Sequence, residues 1–346
     1  MASPSVTIKS IADALGMAHT TVSRALNDHP HTNAETKNRV REMADRLGYV
    51  ANAGARRMRS GSSRQIGFIV PDVQNEFFNA LARSLAEQCF QLGYQLSLGI
   101  SEDNPDREHQ HVRALRENRA EGLIIAPCGQ SLPATRALLA QLPHVQVLRF
   151  DPQLGKLAVS ANDVAGVENA VTHLIEQGHR EIAYIGTPLA LSTGAARLRG
   201  YKLALKKTKI NFDKSLIRIG PTLPAFGKEA THELLCSRNQ TSAFMVASSR
   251  QLVGVLQALK TIGRRVPEDV SVVVYGDADW FELATPSISA VALSVKEMSD
   301  RATEMLFSEL APATGGEHKR WRKEDTIFTP NLIIRESIGP YKKEAA

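Results

Sequence analysis

The segment HTTVSRAL, residues 19–26, puts Thr20, Thr21, Ser23 and Arg24 within one short stretch. Thr is a mediocre helix former, so this density of polar side chains points to chemistry beyond solubility. Hydroxyls touch base edges, and the Thr methyl meets the thymine methyl group. An Arg pairs with guanine O6 and N7 for about 1–3 kcal/mol of discrimination. The chemistry on offer is the reading of a nucleic-acid groove.

Such a stretch needs a scaffold, and the flanking residues predict three helices. The first runs from Thr7, as N-cap, to Leu15, with Ile8, Ile11, Ala12 and Leu15 on its inner face. Gly16 ends it and Met17 packs inward. The second covers His19–Leu26 and turns Val22, Ala25 and Leu26 to the core. Its outer side then holds His19, Thr20, Ser23 and Arg24. The third opens with a capping-box pattern at Thr32–Glu35 and ends at Leu47, burying Val40, Met43, Ala44 and Leu47. Helix, tight turn, short helix, loop and third helix is the helix-turn-helix order.

Charge agrees. The chain of 346 residues carries a net +6, yet residues 1–64 alone hold ten Lys/Arg against five Asp/Glu. A basic head on a near-neutral body fits a polyanion-binding module joined to something else. The apolar content of 43% is that of a globular protein. No apolar signal-peptide core and no 18-residue apolar run is present, so a cytoplasmic protein without membrane contact is expected. Cys89, Cys128 and Cys236 lie far apart and read as reduced, mostly buried residues rather than a zinc or disulfide frame.

TIKSIADALGMAHTTVSRALND followed by ETKNRVREMADRLGYVAN resembles the DNA-binding head of the LacI/GalR family of bacterial transcription regulators. The resemblance implies that His19, Thr20 and Arg24 read operator bases, with Thr21, Ser23 and Asn27 in the same interface. Two departures stand out. Ala18 replaces the usual Ser cap, a loss of about 1 kcal/mol of helix stability, and Ser10 replaces a usual Asp. Residues 52–64 follow as a basic, Gly/Ser-rich linker. By resemblance, residues 52–59 form a hinge helix only on DNA, with Arg56 on phosphate and Met58 wedged into the central minor-groove step. Gly54 disfavours that helix by roughly 1 kcal/mol, and Ala51 replaces a usual Pro, so the hinge is expected to be disordered without DNA.

From residue 65 onward, IGFIV (66–70), YQLSLGI (94–100), GLIIAP (122–127), VQVLRF (145–150), EIAYIG (181–186), SAFMVAS (242–248) and VSVVVYG (270–276) alternate with helical patterns. That predicts parallel α/β sheets, too many strands for one, and hence two lobes with a ligand cleft between them. No G-x-G-x-x-G follows a strand, and Gly220 to Gly227-Lys228 has the wrong spacing for a phosphate loop, with Glu229 where Ser/Thr is needed. His109 and His111 read as solvated, and His173 and His179 as capping or surface residues. No catalytic constellation, metal set or cofactor motif emerges.

The body resembles the same family's effector core, which is similar to periplasmic sugar-binding proteins. The matching stretches are IGFIVPDVQNEFF (66–78), HLIEQGHREIAYIG (173–186), STGAARLRGYKLAL (192–205), VPEDVSVVVYGDADW (266–280) and TPNLIIRES (329–337). The resemblance implies lobe crossovers near 161–163, 290–293 and 325–328. It implies an effector site of Asn75, Phe77, Phe78, Asp151, Thr193, Arg197 and Asp277, with the Phe pair as an aromatic wall and Asp151 on a strand facing the cleft. Core packing of the Phe pair and an interlobe ion pair of Arg197 are the structural alternatives. Ser248-Ser249 and Val274-Tyr275-Gly276-Asp277 depart from the family's usual acids, and Leu191 stands where some members have an arginine. Fewer acids with Arg197 retained favour a sugar acid over a neutral sugar.

The expected organisation is therefore an all-α helix-turn-helix head (1–51), a hinge (52–64) and a two-lobed α/β periplasmic-binding-protein-like core (65–346). The expected function is a homodimeric, operator-binding repressor gated by a sugar or sugar acid, and not an enzyme. The short tail has no heptads for a tetramer. A transport solute-binding protein is disfavoured by the basic head, a nucleotide-using α/β enzyme by the missing phosphate loops, and activation in place of repression stays open.

Overall fold

The computed structural model describes residues 6–49, 62–237, 240–311 and 326–341. The chain divides into two compact units, residues 1–63 and 64–346. The linker residues Ala51, Gly54, Arg56 and Met58 lie outside the described residues.

In the first unit, α1 (Ile8–Leu15), α2 (His19–Leu26) and α3 (Ala34–Leu47) enclose a small core of Ile11, Ala12, Val22, Ala25, Val40 and Ala44. The periodicity that buries these residues also leaves one face of α2 outward. Thr7 caps α1, and the Ser10 hydroxyl accepts from the Thr7 backbone N–H, so the two close a capping box. Ser10 thus has a structural role that the sequence reading missed. Gly16, at φ 62°, ends α1 in the left-handed conformation and makes the tight turn. Two details differ from expectation. The cap of α3 is Asn33, which accepts from the Thr36 N–H at 2.8 Å, one residue after the expected box. Leu47 is exposed, and Tyr49 packs on the core instead.

The second unit contains two six-stranded sheets. One lobe is built on β1 (Gln65–Val70), β2 (Gln95–Ile100), β3 (Gly122–Ile125), β4 (His144–Leu148), β5 (Ala158–Ala161) and β11 (Ile327–Phe328), in spatial order β11-β5-β4-β3-β1-β2. The other is built on β6 (Ile182–Gly186), β7 (Ile217–Ile219), β8 (Ala243–Val246), β9 (Ser271–Tyr275), β10 (Ser289–Ala292) and β12 (Asn331–Ile333), in order β12-β10-β9-β8-β6-β7. All pairings are parallel except β10 with β12. The central strands read as unbroken apolar runs because helices cover both faces. Those helices are α4 (Glu76–Gln91), α5 (Pro105–Glu117), α6 (Pro133–Leu139) and α12 (Val295–Leu310) on the first lobe. On the second they are α7 (Asp163–Glu176), α8 (Ser192–Lys207), α9 (Pro224–Ser237), α10 (Ser249–Ile262) and the short α11 (Asp279–Leu283).

The chain passes between lobes after β5, between β10 and α12, and between β11 and β12. The last passage falls at residues 329–330 rather than 325–328, because Ile327 and Phe328 still pair with β5. No described helix is long and apolar enough to cross a membrane.

The histidine expectations change, whereas the cysteines are free and mostly buried as expected. His179 is 3% exposed, not a surface residue, and its ring bridges Ser242 Oγ and the Gly339 carbonyl. Burial lowers its pKa. His109 and His111 are part-buried and bonded to Thr135 and the Ile100 carbonyl. Cys89 and Cys128 are buried, whereas Cys236 is exposed.

Candidate nucleic-acid interface and ligand cleft

On α2, His19, Thr20, Arg24 and Asn27 are exposed, while Thr21 and Ser23 are half-buried, closer to the helix bundle than expected. Ala18 offers no side-chain cap. The first intrahelical bonds are those from Thr21 and Val22 to the Ala18 carbonyl, so the N–H groups of the first turn point off the helix end. Asn27 folds back, its Nδ2 donating to the Ser23 carbonyl at 2.5 Å. Asp28 braces the turn that follows by accepting two bonds from Arg41 Nη2 at 2.5 and 2.6 Å. The result is a short helix with a polar, cationic outer face and an N-terminus free to meet phosphate or base edges.

In the second unit, the carboxyl ends of both sets of parallel strands face one cleft. Several groups close it from opposite lobes. Ser249 Oγ donates to Glu76 Oε2 at 2.7 Å and Trp280 Nε1 to Glu76 Oε1 at 3.3 Å. Arg250 pairs with Asp72 and Gln74. On the other side, the Phe150 N–H donates to Ser192 Oγ at 2.9 Å.

Two adjoining recesses meet at Asn75, Leu148, Arg197 and Ser248, the one reaching toward Thr193 smaller than the one reaching toward Asp277. Arg197 forms the floor. Its Nε donates to Asp163 Oδ1 at 2.7 Å, its Nη1 to the Ala247 carbonyl at 2.7 Å, and its guanidinium stacks 3.6 Å from the Tyr275 ring centroid. Asp163 opens α7 of the same lobe, so this ion pair lies within a lobe and not between lobes. The carboxylate beside it holds the Arg197 pKa up, and burial pushes the Tyr275 phenol well above its usual value. Gly194 lets the start of α8 come close: a Cβ there would lie 2.2 Å from the Pro188 carbonyl oxygen. That approach sets Thr193 on the rim of the smaller recess.

The sequence-derived set is only partly brought together. Asn75, Thr193 and Arg197 line the smaller recess, and Phe77 the larger one with Asn75 and Arg197. Phe78 touches the smaller recess but is 3% exposed and belongs to the lobe core, packed edge-on against Phe77. Asp151 is not on a strand. β4 stops at Leu148, whose φ of 63° turns the chain off the sheet. Asp151 then sits in the next turn, accepting from the Gln153 N–H, beside a third recess with Cys128 and Gln153. Asp277 is held by Arg335 at 2.9 and 3.0 Å, so it does not stand free as a hydroxyl acceptor.

Arg149, Thr187 and Glu76 line the cleft without having been expected there, and Ser248 was expected only as part of a Ser248-Ser249 pair that departs from the family's usual Asn-Asp. Arg149, Thr187 and Ser248 each follow within two residues of a parallel strand's carboxyl end, the position that could have exposed them. Arg149 is held by Asp103 and is 6% exposed. Cys128, near the cleft, is no ready nucleophile: burial and the neighbouring Glu108 push its thiol up to about 12. Among the described residues, no group of three His, Cys, Asp or Glu side chains is arranged to hold a metal ion.

Residues 7–52 match the model of the bacterial regulatory proteins of the lacI family, and residues 171–338 that of the periplasmic binding protein-like domain. The chain belongs to the LacI family. It is a DNA-binding transcription regulator with a helix-turn-helix head and a periplasmic-binding-protein-like core. The HTH-type transcriptional repressor PurR of Mannheimia succiniciproducens is 27% identical, over 96% of this chain and 98% of that one. The HTH-type transcriptional regulator DegA of Bacillus subtilis is also 27% identical, with the same coverage. Among solved structures, the transcriptional regulator CelR in complex with cellobiose is similar at 26% identity and a TM-score of 0.71, over 96% of this chain and 99% of that one. The lac repressor dimer bound to operator and an anti-inducer shares the fold, with a TM-score of 0.80 at 21% identity over 97% and 99% of the two chains.

Proposed function

We propose that this regulator is a repressor that binds a pseudo-palindromic operator as a homodimer and is gated by a small polar metabolite, a sugar or a sugar acid, held between the lobes. The observation that carries the reading is the outer face of α2, where His19, Thr20 and Arg24 stand exposed beside an uncapped first turn. Two such helices read the two half-sites, matching the two-fold symmetry of a dimer. Arg24 takes a guanine edge, His19 and Thr20 the neighbouring bases, and Thr21, Ser23 and Asn27 the flanking backbone. Arg56 adds a phosphate contact and Met58 the minor-groove wedge.

Dimerisation is supported by apolar surface at the edge of the first lobe. Phe90 is 77% exposed, Leu92 48% and Leu98 47%, around the edge strand β2. A second copy covering that surface removes it from water. The fold relative described as a dimer on its operator points the same way, and the relative described with cellobiose supports a sugar-like effector. Asn75, Phe77, Thr193 and Arg197 contact the effector, whose binding shifts the lobe angle and with it the spacing of the two linkers. The coupling is reciprocal, and the lobe arrangement that the effector prefers decides whether it induces or corepresses. The protein acts in the cytoplasm, where its operator is.

The test is selection of genomic fragments by the purified full chain at near-physiological salt, followed by sequencing. Enrichment of one pseudo-palindrome with a central C-G step is the expected result. No enrichment, with or without a metabolite extract of the encoding organism, would overturn the reading.

A further inference from the structure

The cleft has a chemical polarity. The smaller recess is lined by hydrogen-bond donors. Thr187 and Ser248 are 2% and 4% exposed, and neither hydroxyl oxygen has a hydrogen-bond partner among the described residues. Both line the recess that also holds Arg149 and Arg197. Each guanidinium is pinned from behind, Arg149 by Asp103 and the Pro127 carbonyl, Arg197 by Asp163 and the Ala247 carbonyl. Among the described residues, no hydrogen bond engages Arg197 Nη2. Two long helices also begin here without a side-chain cap: α8 after Leu191 and α10 after Ser248. Their first N–H groups are unpaired within the helix, and their dipoles favour negative charge. Asp72 is the one acid on this recess and is ion-paired with Arg250. The larger recess differs, with Glu76 and Asp277 on its wall together with Phe77.

A neutral hydroxyl carries its own proton and has to place it. Guanidinium edges and helix N–H groups are donors only, so a neutral hydroxyl packed among them can pass its proton only to a side-chain hydroxyl such as Thr187 or Ser248, whose own proton is then left to place. An oxyanion brings acceptors alone, and its charge strengthens every bond it receives. Resting on the gated-regulator reading above, we infer that the effector has an oxyanion head, a carboxylate or a phosphate, and a hydroxylated body. The head sits at Thr187, Ser248, Arg149 and Arg197, and the body runs toward Glu76 and Phe77.

The test uses the full chain and Thr187→Val, followed by calorimetry and thermal melting. The probes are D-gluconate, D-glucuronate and D-glucose 6-phosphate against neutral D-glucose, together with the anion-exchange-retained and flow-through fractions of an extract of the encoding organism. The expected result is that a retained-fraction component or a named anion binds at least about tenfold tighter than its neutral parent. Thr187→Val reduces that binding roughly tenfold, while the unliganded melting temperature does not fall, because the hydroxyl removed has no protein partner to lose. Carboxylate and phosphate heads are separated by which of the named acids binds. A ligand found only in the flow-through fraction, or a neutral sugar binding as tightly as its acid, overturns the oxyanion inference and leaves the gated regulator standing. A Thr187→Val chain that melts lower and binds as before also overturns it. Silence of both fractions overturns the inference and the gating together.

Discussion

The head and the core solve the same problem, exposing polar groups to a ligand, by opposite means. The head does it locally. Eight consecutive residues of α2 carry both the buried anchors Val22 and Ala25 and the outward-facing His19, Thr20 and Arg24. The core does it by assembly. Arg149, Thr187 and Ser248 follow the ends of three separate strands and Arg197 lies in the second turn of α8, brought together by two sheets that the chain passes between repeatedly. A local site depends on one helix staying folded on a six-residue core. An assembled site depends on the whole unit, and its two guanidinium groups are held by ion pairs with Asp103 and Asp163.

That contrast can be broken at its strongest points first. Asp163→Asn removes the partner of a guanidinium that is 7% exposed. Leaving a buried charge unpaired costs about 3–5 kcal/mol. Urea unfolding followed by core probes is expected to show that loss, with the head's helicity unchanged. An equal loss in both units would mean that they do not fold separately. Ile11→Ala is the mirror experiment. It empties the centre of the small head core, at about 2–5 kcal/mol. Operator binding is expected to vanish while calorimetric binding of a cleft ligand persists.

A smaller effect sharpens the comparison. Ala18→Ser restores the missing cap of α2 and is expected to stabilise the head by about 1 kcal/mol, read from its thermal transition alone. The smallest concerns pH. Burial lowers the His179 pKa below its ordinary 6.5, so the unfolded chain binds the proton more readily than the folded one. Stability from this residue is therefore fully present above pH 6.5 and is lost as pH falls through the folded value. Melting of the core is expected to drop on acidification, and His179→Asn to flatten that drop without touching the head. Acid loss of the same size in His179→Asn would assign the effect to other groups.

Legibility in the sequence follows the same divide. The limits of α1 and α2 were readable to the residue, because N-cap, apolar spacing and Gly16 all lie within the helix's own reach. Seven strands were readable as apolar runs. β5, β7, β10, β11 and β12 were not, being two to four residues long and fixed by pairing rather than by pattern. The cleft was readable in part. Arg197 and Asn75 reach it, and Asp277 lines it too, but with its carboxylate taken up by Arg335, 58 residues along the chain. Asp151 sits in a turn beside a neighbouring recess rather than on a strand, because Leu148 turns the chain off the sheet early. Neither partner choice nor a positive φ at a leucine is written in local periodicity. Ser248-Ser249 reads in the sequence as the loss of the family's usual Asn-Asp, yet the unpartnered Ser248 hydroxyl is part of what gives the cleft its donor-rich end.

The central claim is that the outer face of α2 and the cleft are thermodynamically coupled. The most direct test is operator affinity with and without saturating cleft ligand, alongside ligand affinity with and without operator, at one salt concentration. The account predicts the same factor in both directions, about 5–150-fold for a coupling of 1–3 kcal/mol. Operator affinity that stays constant while the cleft fills would contradict it.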